Sequence, residues 1–150
     1  MEYIKVLDSF ENALPVAIRQ HSTMGHLCGY VGVPEDHKWY KICYNQCLAG
    51  CEPKKDTILG KLNMWFCDHP SPEKIIKVHG GLTYSEMGTG KYLPSGFWWF
   101  GFDCAHLGDR ILGLGRSSGG TYKEKGYVLA EIKKLAKQLA EVSYGVYVDE

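Results

Sequence analysis

Hydrophobic positions along the chain form short strand-like runs separated by glycine-rich breaks. Leu27–Val33 and Phe97–Phe102 are dominated by apolar residues, which predicts two buried strands, the first closed by Pro34. Ile75–His79 is rich in β-branched residues and is a third strand candidate. Gly80 and Gly81 interrupt it, and glycines at such a place often mark a bulge or a close approach of backbone or ligand.

The clearest helix comes last. Val128, Ile132, Leu135 and Leu139 recur at helical spacing, with Lys and Glu on the other faces. Such a stripe needs a sheet or another helix to bury it, and residues 144–148 after it are a candidate edge strand. We therefore expect an α+β fold, with a small, mainly antiparallel sheet and the C-terminal amphipathic helix packed on one face.

Other segments give weaker signals. Residues 1–27 show no clean period, and Pro15 would interrupt any long helix there. The stretch from 35 to about 60 is polar and tyrosine-rich, which is typical of a helix or a loop. Residues 61–66 fit a short strand or one helical turn, and residues 86–96 contain enough glycine and proline to predict a loop.

Size and charge narrow the class of protein. A chain of 150 residues with 45% hydrophobic and 23% charged residues fits one globular domain, 1–150. Lys plus Arg and Asp plus Glu both number 17, whereas a protein that binds polymeric nucleic acid usually carries a basic excess. No apolar run approaches the ~20 residues of a membrane span, and the N-terminus lacks a signal-peptide pattern. We expect a cytoplasmic protein with neither a nucleic-acid nor a membrane partner.

The six cysteines are expected to be reduced thiols in that compartment. Cys43, Cys47 and Cys51 recur every four residues and would share one face of a helix. Cys67, with His69, could complete a zinc site. A buried helix face of small apolar residues explains the same spacing, so both interpretations stay open.

The most suggestive polar residues follow the Phe97–Phe102 strand. Asp103, His106 and Asp109 are spaced by three, and His79 ends the separate Ile75–His79 strand. Imidazoles and carboxylates that converge at strand ends would suit Zn²⁺ or a harder divalent ion. They would equally serve as a metal-free general acid and base, or merely cap turns by hydrogen bonds to the backbone.

Cys104 is a candidate nucleophile, with His79 or His106 to lower its pKa. Its position after a very apolar strand is equally typical of a buried free cysteine. For an anionic ligand, Lys91 lies in a loop too short to be a P-loop, whereas Arg116 lies in the glycine- and serine-rich segment 113–120. Backbone N–H groups, hydroxyls and a guanidinium can wrap an anion there, although that composition also favours an ordinary surface loop.

Aromatic residues make up 13% of the chain. Trp98 and Trp99 are adjacent, so in a strand they face opposite sides of the sheet. One is expected in the core, while the other is a candidate to stack on a base or to mark an interface. Tyr84, together with Thr83, lies near His79 and is a second stacking candidate with the same core-filling alternative.

Several segments together resemble a family of small uncharacterised proteins from bacteria and their phages. The segments are Cys28–Pro34 with His37, Val78–Ser85, Trp98–His106 with Gly108 and Asp109, and Tyr127, Val128 and Glu131 at the last helix. They extend from about residue 26 to 141, whereas residues 41–75 depart from the family pattern and are interpreted as a cysteine-rich insert. The resemblance implies a site at the family's signature residues His79, Gly80, Gly81, Thr83, Asp103, His106 and Asp109.

Small phage-encoded cytosolic proteins include, as a class, inhibitors of host defence that cleave or sequester nucleotide signals. By that analogy, the leading hypothesis is a hydrolase of a nucleotide-like phosphoester, acting with or without a divalent metal. His79, Asp103, His106 and Asp109 would exchange protons or bind the ion, and Lys91 or Arg116 would neutralise phosphate. The alternatives are an oligomeric protein that sequesters such a ligand by stacking on Tyr84, Trp98 or Trp99, and an inhibitor that docks on another protein through 41–75.

Overall fold

The computed structural model describes residues 3–49, 69–104 and 123–143. In chain order its elements are β1 (Tyr3–Glu11), β2 (Leu14–His21), β3 (Leu27–Val33), α1 (Pro72–Ile75), β4 (Tyr84–Met87), β5 (Trp98–Asp103) and α2 (Lys125–Ser143). The five strands form one sheet in the order β1-β2-β3-β5-β4, and every neighbouring pair is antiparallel. Helix α2 packs on this sheet, mainly over β3 and β2. The predicted α+β fold is confirmed.

Strands β1 and β2 form a hairpin in a region where the sequence predicted no element. Asn12 and Ala13 connect them with φ angles of 52° and 62°, the backbone sign that a two-residue hairpin turn of type I′ requires. The turn lacks the glycine that usually signals a hairpin. Almost all of β2 is buried, so no alternation of polar residues reveals it, and Pro15 lies at the turn end, opposite Phe10.

The two strands predicted from the apolar runs lie side by side. Strand β3 has the predicted bounds, and β5 begins and ends one residue after the predicted run. Gly29 of β3 allows α2 to approach the sheet closely. A Cβ atom at Gly29 would lie 2.6 Å from Cζ of Phe102 and 2.9 Å from Cγ1 of Ile132, so any larger residue would push the helix away.

The sheet separates two groups of buried side chains. The predicted stripe of α2 is confirmed, because Val128, Ile132, Leu135 and Leu139 are all fully buried. They pack against Val16, Ile18, Val31, Phe100 and Phe102 of the sheet. A smaller cluster contains Ala17, Cys28, Tyr30 and Trp99, together with Leu93 of the loop between β4 and β5. The four strand residues alternate along their strands with the first set, so this cluster lies on the opposite face of the sheet. Across the described ranges, no helix combines the length and apolar content needed to cross a membrane.

Residues 35–49 form turns and contain no helix. The predicted helical face of cysteines is therefore wrong for Cys43, which is half-buried, and for Cys47, which is buried. Lys41 has a φ of 64°, which no helical residue adopts, and Leu48 donates its N–H to the carbonyl of Pro70 over 2.9 Å. The remaining predictions for Cys51, Cys67, residues 61–66, residues 113–120 and residues 144–148 lie outside the described residues.

Candidate functional site beside His79

Residues 76–78 run along α2 without regular structure, so the predicted strand Ile75–His79 is wrong. Side chains of α2 supply the hydrogen bonds that a neighbouring strand would give. Gln138 accepts the N–H of Lys77 at 2.8 Å through Oε1, and its Nε2 donates to the carbonyl of Lys77 at 2.9 Å. Ile76 is buried, which accounts for the apolar signal that suggested a strand.

His79 lies in a turn that depends on two glycines. Gly81 donates its N–H to the carbonyl of Val78 at 2.9 Å. Gly80 and Gly81 have φ angles of 67° and 81°, which glycine adopts at little cost and other residues do not. The conformation explains the glycine pair after His79 and holds the histidine beside the helix.

Helix α2 fixes both the backbone and the ring of His79. The N–H of His79 donates to Oε1 of Glu131 at 2.9 Å. Its Nδ1 lies 2.7 Å from the hydroxyl of Tyr127, and the two rings meet edge to face with centroids 5.3 Å apart. A histidine held at two points is oriented in advance, as a binding or proton-transferring group needs to be.

Glu131 is buried, with 8% of its surface exposed. Its carboxylate accepts from Nζ of Lys134 at 3.1 and 3.3 Å as well as from the N–H of His79. A buried carboxylate needs such partners to offset its lost hydration. Glu131 therefore connects the turn of His79 to an ammonium group on the next turn of α2.

These residues border an open groove of about 440 Å³, a size within the range of small-molecule sites. The groove is lined by Glu73, Ile76, Lys77, Val78, His79, Gly81, Glu131 and Lys134. It combines an imidazole with two ammonium groups and two carboxylates. Chemically, such a set can bind an anionic group at the lysines and exchange a proton at the histidine.

The structure separates His79 from Asp103. Asp103 alternates with Phe102 along β5 and faces the side of the sheet away from α2, whereas His79 contacts α2. Oδ2 of Asp103 accepts a hydrogen bond of 3.2 Å from Oγ1 of Thr83. Two of the four predicted catalytic residues therefore lie on different sides of the sheet.

Tyr84 also lies on the face away from α2, edge-on to Tyr30 with ring centroids 5.1 Å apart. Burial raises the pKa of both phenols, so both remain protonated. Burial raises the pKa of the Cys28 thiol to about 12, with a further contribution from Asp103 and despite a hydrogen bond from Tyr30. Tyr30, Tyr84 and Cys28 therefore provide neutral hydrogen-bonding groups, and the Cys28 thiol is not activated as a nucleophile.

The two tryptophans face opposite sides of the sheet, as predicted. Trp99 is fully buried, and its Nε1 donates to the carbonyl of Pro94 at 2.9 Å. Trp98 is half-buried, and its Nε1 donates to the carbonyl of Ile42 at 2.9 Å. Trp99 therefore fills the core, and of the two only Trp98 is partly exposed.

Lys91 is exposed in the loop between β4 and β5, with its Nζ 5.1 Å from the ring centre of Tyr92. Cys104 is buried in the core beneath α2, in agreement with the structural alternative given above. His106, Asp109 and Arg116 lie outside the described residues. Within those residues, no three His, Cys, Asp or Glu side chains are grouped so that they could hold a metal ion, and the metal site stays a prediction.

The sequence did not mark four polar residues of this region as site residues: Lys77, Glu131 and Lys134, which line the groove, and Tyr127, which contacts His79 beside it. Tyr127 and Glu131 belong to the segments from which the family resemblance is predicted, so a sequence signal existed for them without an assigned role. Comparison of the chain with protein-family models, with curated proteins and with solved structures found no match. The geometry of the groove is therefore the basis for a functional proposal.

Proposed function

We propose that the protein binds a small nucleotide-like phosphoester in the groove beside His79 and hydrolyses it. The observation that carries the proposal is the presence of His79, Lys77 and Lys134 in one groove. Phosphoester hydrolysis requires cations that neutralise the phosphate and a group that moves a proton. The lysines meet the first requirement and the histidine meets the second.

Binding would place the phosphate near the ammonium groups of Lys77 and Lys134, which act as point charges toward phosphate oxygens. Lys134 is held at the groove wall by its ion pair with Glu131. Tyr127 is 41% exposed, and its ring adjoins that of His79. An exposed aromatic ring beside an anion site supports a ligand that carries a base, because a base can stack on it.

In the hydrolysis step, a water oxygen bonds to phosphorus and the ester P–O bond breaks. His79 takes one proton from the attacking water, the departing ester oxygen takes a proton from a solvent water, and the imidazolium then returns its proton to the solvent. The hydroxyl of Tyr127, 2.7 Å from Nδ1, orients the imidazole and stabilises it as its charge changes. Asp103 has no part in this site because it faces the other side of the sheet.

A second candidate is a protein that sequesters the same ligand without cleaving it. The exposed ring of Tyr127 favours it, since stacking and lysine contacts give affinity without requiring proton transfer. In that case His79 would only hydrogen-bond to the ligand.

The test is to incubate the purified protein with mono-, di- and cyclic nucleotides, with and without Mg²⁺, Mn²⁺ or Zn²⁺. Each ligand is then analysed by chromatography before and after heat denaturation of the protein. A ligand converted to a new product by the wild type and by His69→Ala, but not by folded His79→Ala, supports hydrolysis. A ligand that leaves the free pool and returns intact on denaturation supports sequestration. No change with any ligand contradicts both and favours a protein partner.

A further inference from the structure

Strand β1 lies at one edge of the sheet and exposes apolar residues. Among the described strands, its neighbour is β2 alone. Ile4 is 52% exposed and Phe10 is 70% exposed, and both belong to β1. An edge strand presents a row of backbone N–H and C=O groups that can pair with another chain. The strand has nine residues, long enough for a stable pairing.

A bulge in β1 determines which side chains share a face. The register against β2 shifts between Lys5 and Leu7. Because of this shift, four residues of β1 pair with every second residue of β2 and lie on the face of the sheet away from α2. They are Tyr3, Lys5, Asp8 and Phe10. Without the bulge, the first two and the last two would point to opposite faces.

We propose that two copies of the chain associate by antiparallel pairing of their β1 strands, around a two-fold axis between Val6 and Leu7. In this register Lys5 of one copy is opposite Asp8 of the other, and Tyr3 is opposite Phe10. The symmetry produces each pair twice. Every one of the four residues on this face then meets another of the four, and the two sheets become continuous.

Charge and aromatic pairing both favour this register. Directly opposed residues of unlike charge, or of aromatic character, stabilise an antiparallel pair. Asp8 already has Nζ of Lys5 at 3.1 Å within its own copy, so the edge carries both charges and is complementary to itself. A register shift by one residue would place these side chains on the wrong faces. The formal net charge of zero leaves no overall repulsion between copies.

The first test measures mass by light scattering and sedimentation equilibrium over a wide concentration range. The wild type is expected to form a dimer. Lys5→Glu places like charges opposite each other twice and should raise the dimer Kd by about tenfold or more. Phe10→Ser should also raise it, since it removes two aromatic pairs. Lys133→Glu makes the same charge change at an exposed position of α2 and should leave the Kd unchanged.

A wild type that is monomeric at every concentration overturns the proposal, as does a dimer whose Kd neither variant at β1 changes. Circular dichroism verifies that each variant is folded.

A second measurement uses the unmodified sequence. Carbodiimide coupling of a mixture of ¹⁴N- and ¹⁵N-labelled protein should give Lys5–Asp8 cross-links that join light and heavy chains. Links confined to chains of one isotope would contradict the register. None of these results depends on the ligand or on His79.

Discussion

The N–H of His79 donates to Oε1 of Glu131 over 2.9 Å, and this bond attaches the turn that carries the candidate site directly to α2. Gln138 holds Lys77 to the same helix two turns further along. Because α2 also packs over the centre of the sheet, the position of the groove follows from the position of a core helix. The candidate site therefore rests on a rigid element although His79 itself lies in a turn.

Replacement of Glu131 should destabilise the protein. Glu131→Ala leaves the N–H of His79 without this acceptor and should lower the free energy of unfolding by about 1–3 kcal/mol. Glu131→Gln keeps an oxygen acceptor and should lose less. Glu124→Ala removes an exposed glutamate near the start of the same helix and is the control in urea denaturation. If Glu131→Ala and Glu124→Ala lower the free energy of unfolding equally, the contact between Glu131 and His79 does not stabilise the fold.

Arg19 should be the most sensitive charged residue of the sheet. Its guanidinium is 3% exposed, lies 2.8 Å from Oδ1 of Asp8 and donates to the carbonyls of Tyr92 and Leu7. Arg19→Met removes these bonds and should lower the free energy of unfolding by about 3 kcal/mol. Lys5→Met removes the exposed partner of Asp8 and should cost less than about 1 kcal/mol. Thermal denaturation that ranks the two variants the other way would contradict this.

Protonation of His37 should weaken the fold in mildly acidic solution. Nδ1 of His37 accepts the N–H of Trp39 at 2.9 Å, so its ring proton is on Nε2 and donates to the carbonyl of Leu139 at 2.7 Å. Burial lowers the pKa of His37, although the Leu139 bond and the charge of Asp36 partly oppose the shift.

Below an unfolded-state pKa of about 6.5, the unfolded chain takes up a proton that folded His37 resists. The stability contributed by His37 is therefore complete above that pH and is lost as the pH falls toward the lower folded pKa. Urea denaturation at several pH values should show a shallower loss between pH 7 and 5 for His37→Asn than for the wild type. Equal slopes would show that His37 does not couple to folding.

Two glycine-to-alanine changes should have opposite signs. Gly29→Ala places a Cβ against Phe102 and Ile132 and should cost about 1–3 kcal/mol through overpacking. Gly126→Ala, in the first turn of α2, meets no atom within 4 Å and should stabilise the protein by up to about 1 kcal/mol through helix propensity. Thermal unfolding of both variants tests this, and a stable Gly29→Ala would mean that α2 does not lie as close to β3 as described.

The apolar runs and the helical stripe could be predicted because burial on a sheet or helix leaves a local pattern. The hairpin of β1 and β2 could not, since its turn uses Asn12 and Ala13 instead of glycine and almost all of β2 is buried. The β-branched residues of Ile75–His79 predict a strand, but the hydrogen-bond partners of Lys77 and His79 are Gln138 and Glu131 of α2. Partners so distant in sequence leave no trace in a local pattern.

The candidate site was predicted in part. His79 was identified from its motif, and the structure places it in a groove. The sequence groups His79 with Asp103 because both are expected at strand ends that converge. In the structure His79 lies in a turn and ends no strand. Lys77 and Lys134 carry no sequence signal of their own, because exposed lysines are common on any surface.

The most direct test of the site is an NMR titration of ¹⁵N-labelled protein with adenosine 5′-monophosphate and, separately, with pyrophosphate, followed through the backbone amides. We expect saturable shifts centred on Lys77, His79 and Lys134. These shifts should weaken strongly in the Lys77→Ala/Lys134→Ala double variant and persist in a Lys74→Ala/Lys137→Ala control. Shifts absent from these amides at saturating ligand, or shifts confined to other surfaces such as the loop of Lys91, would contradict the assignment of the groove.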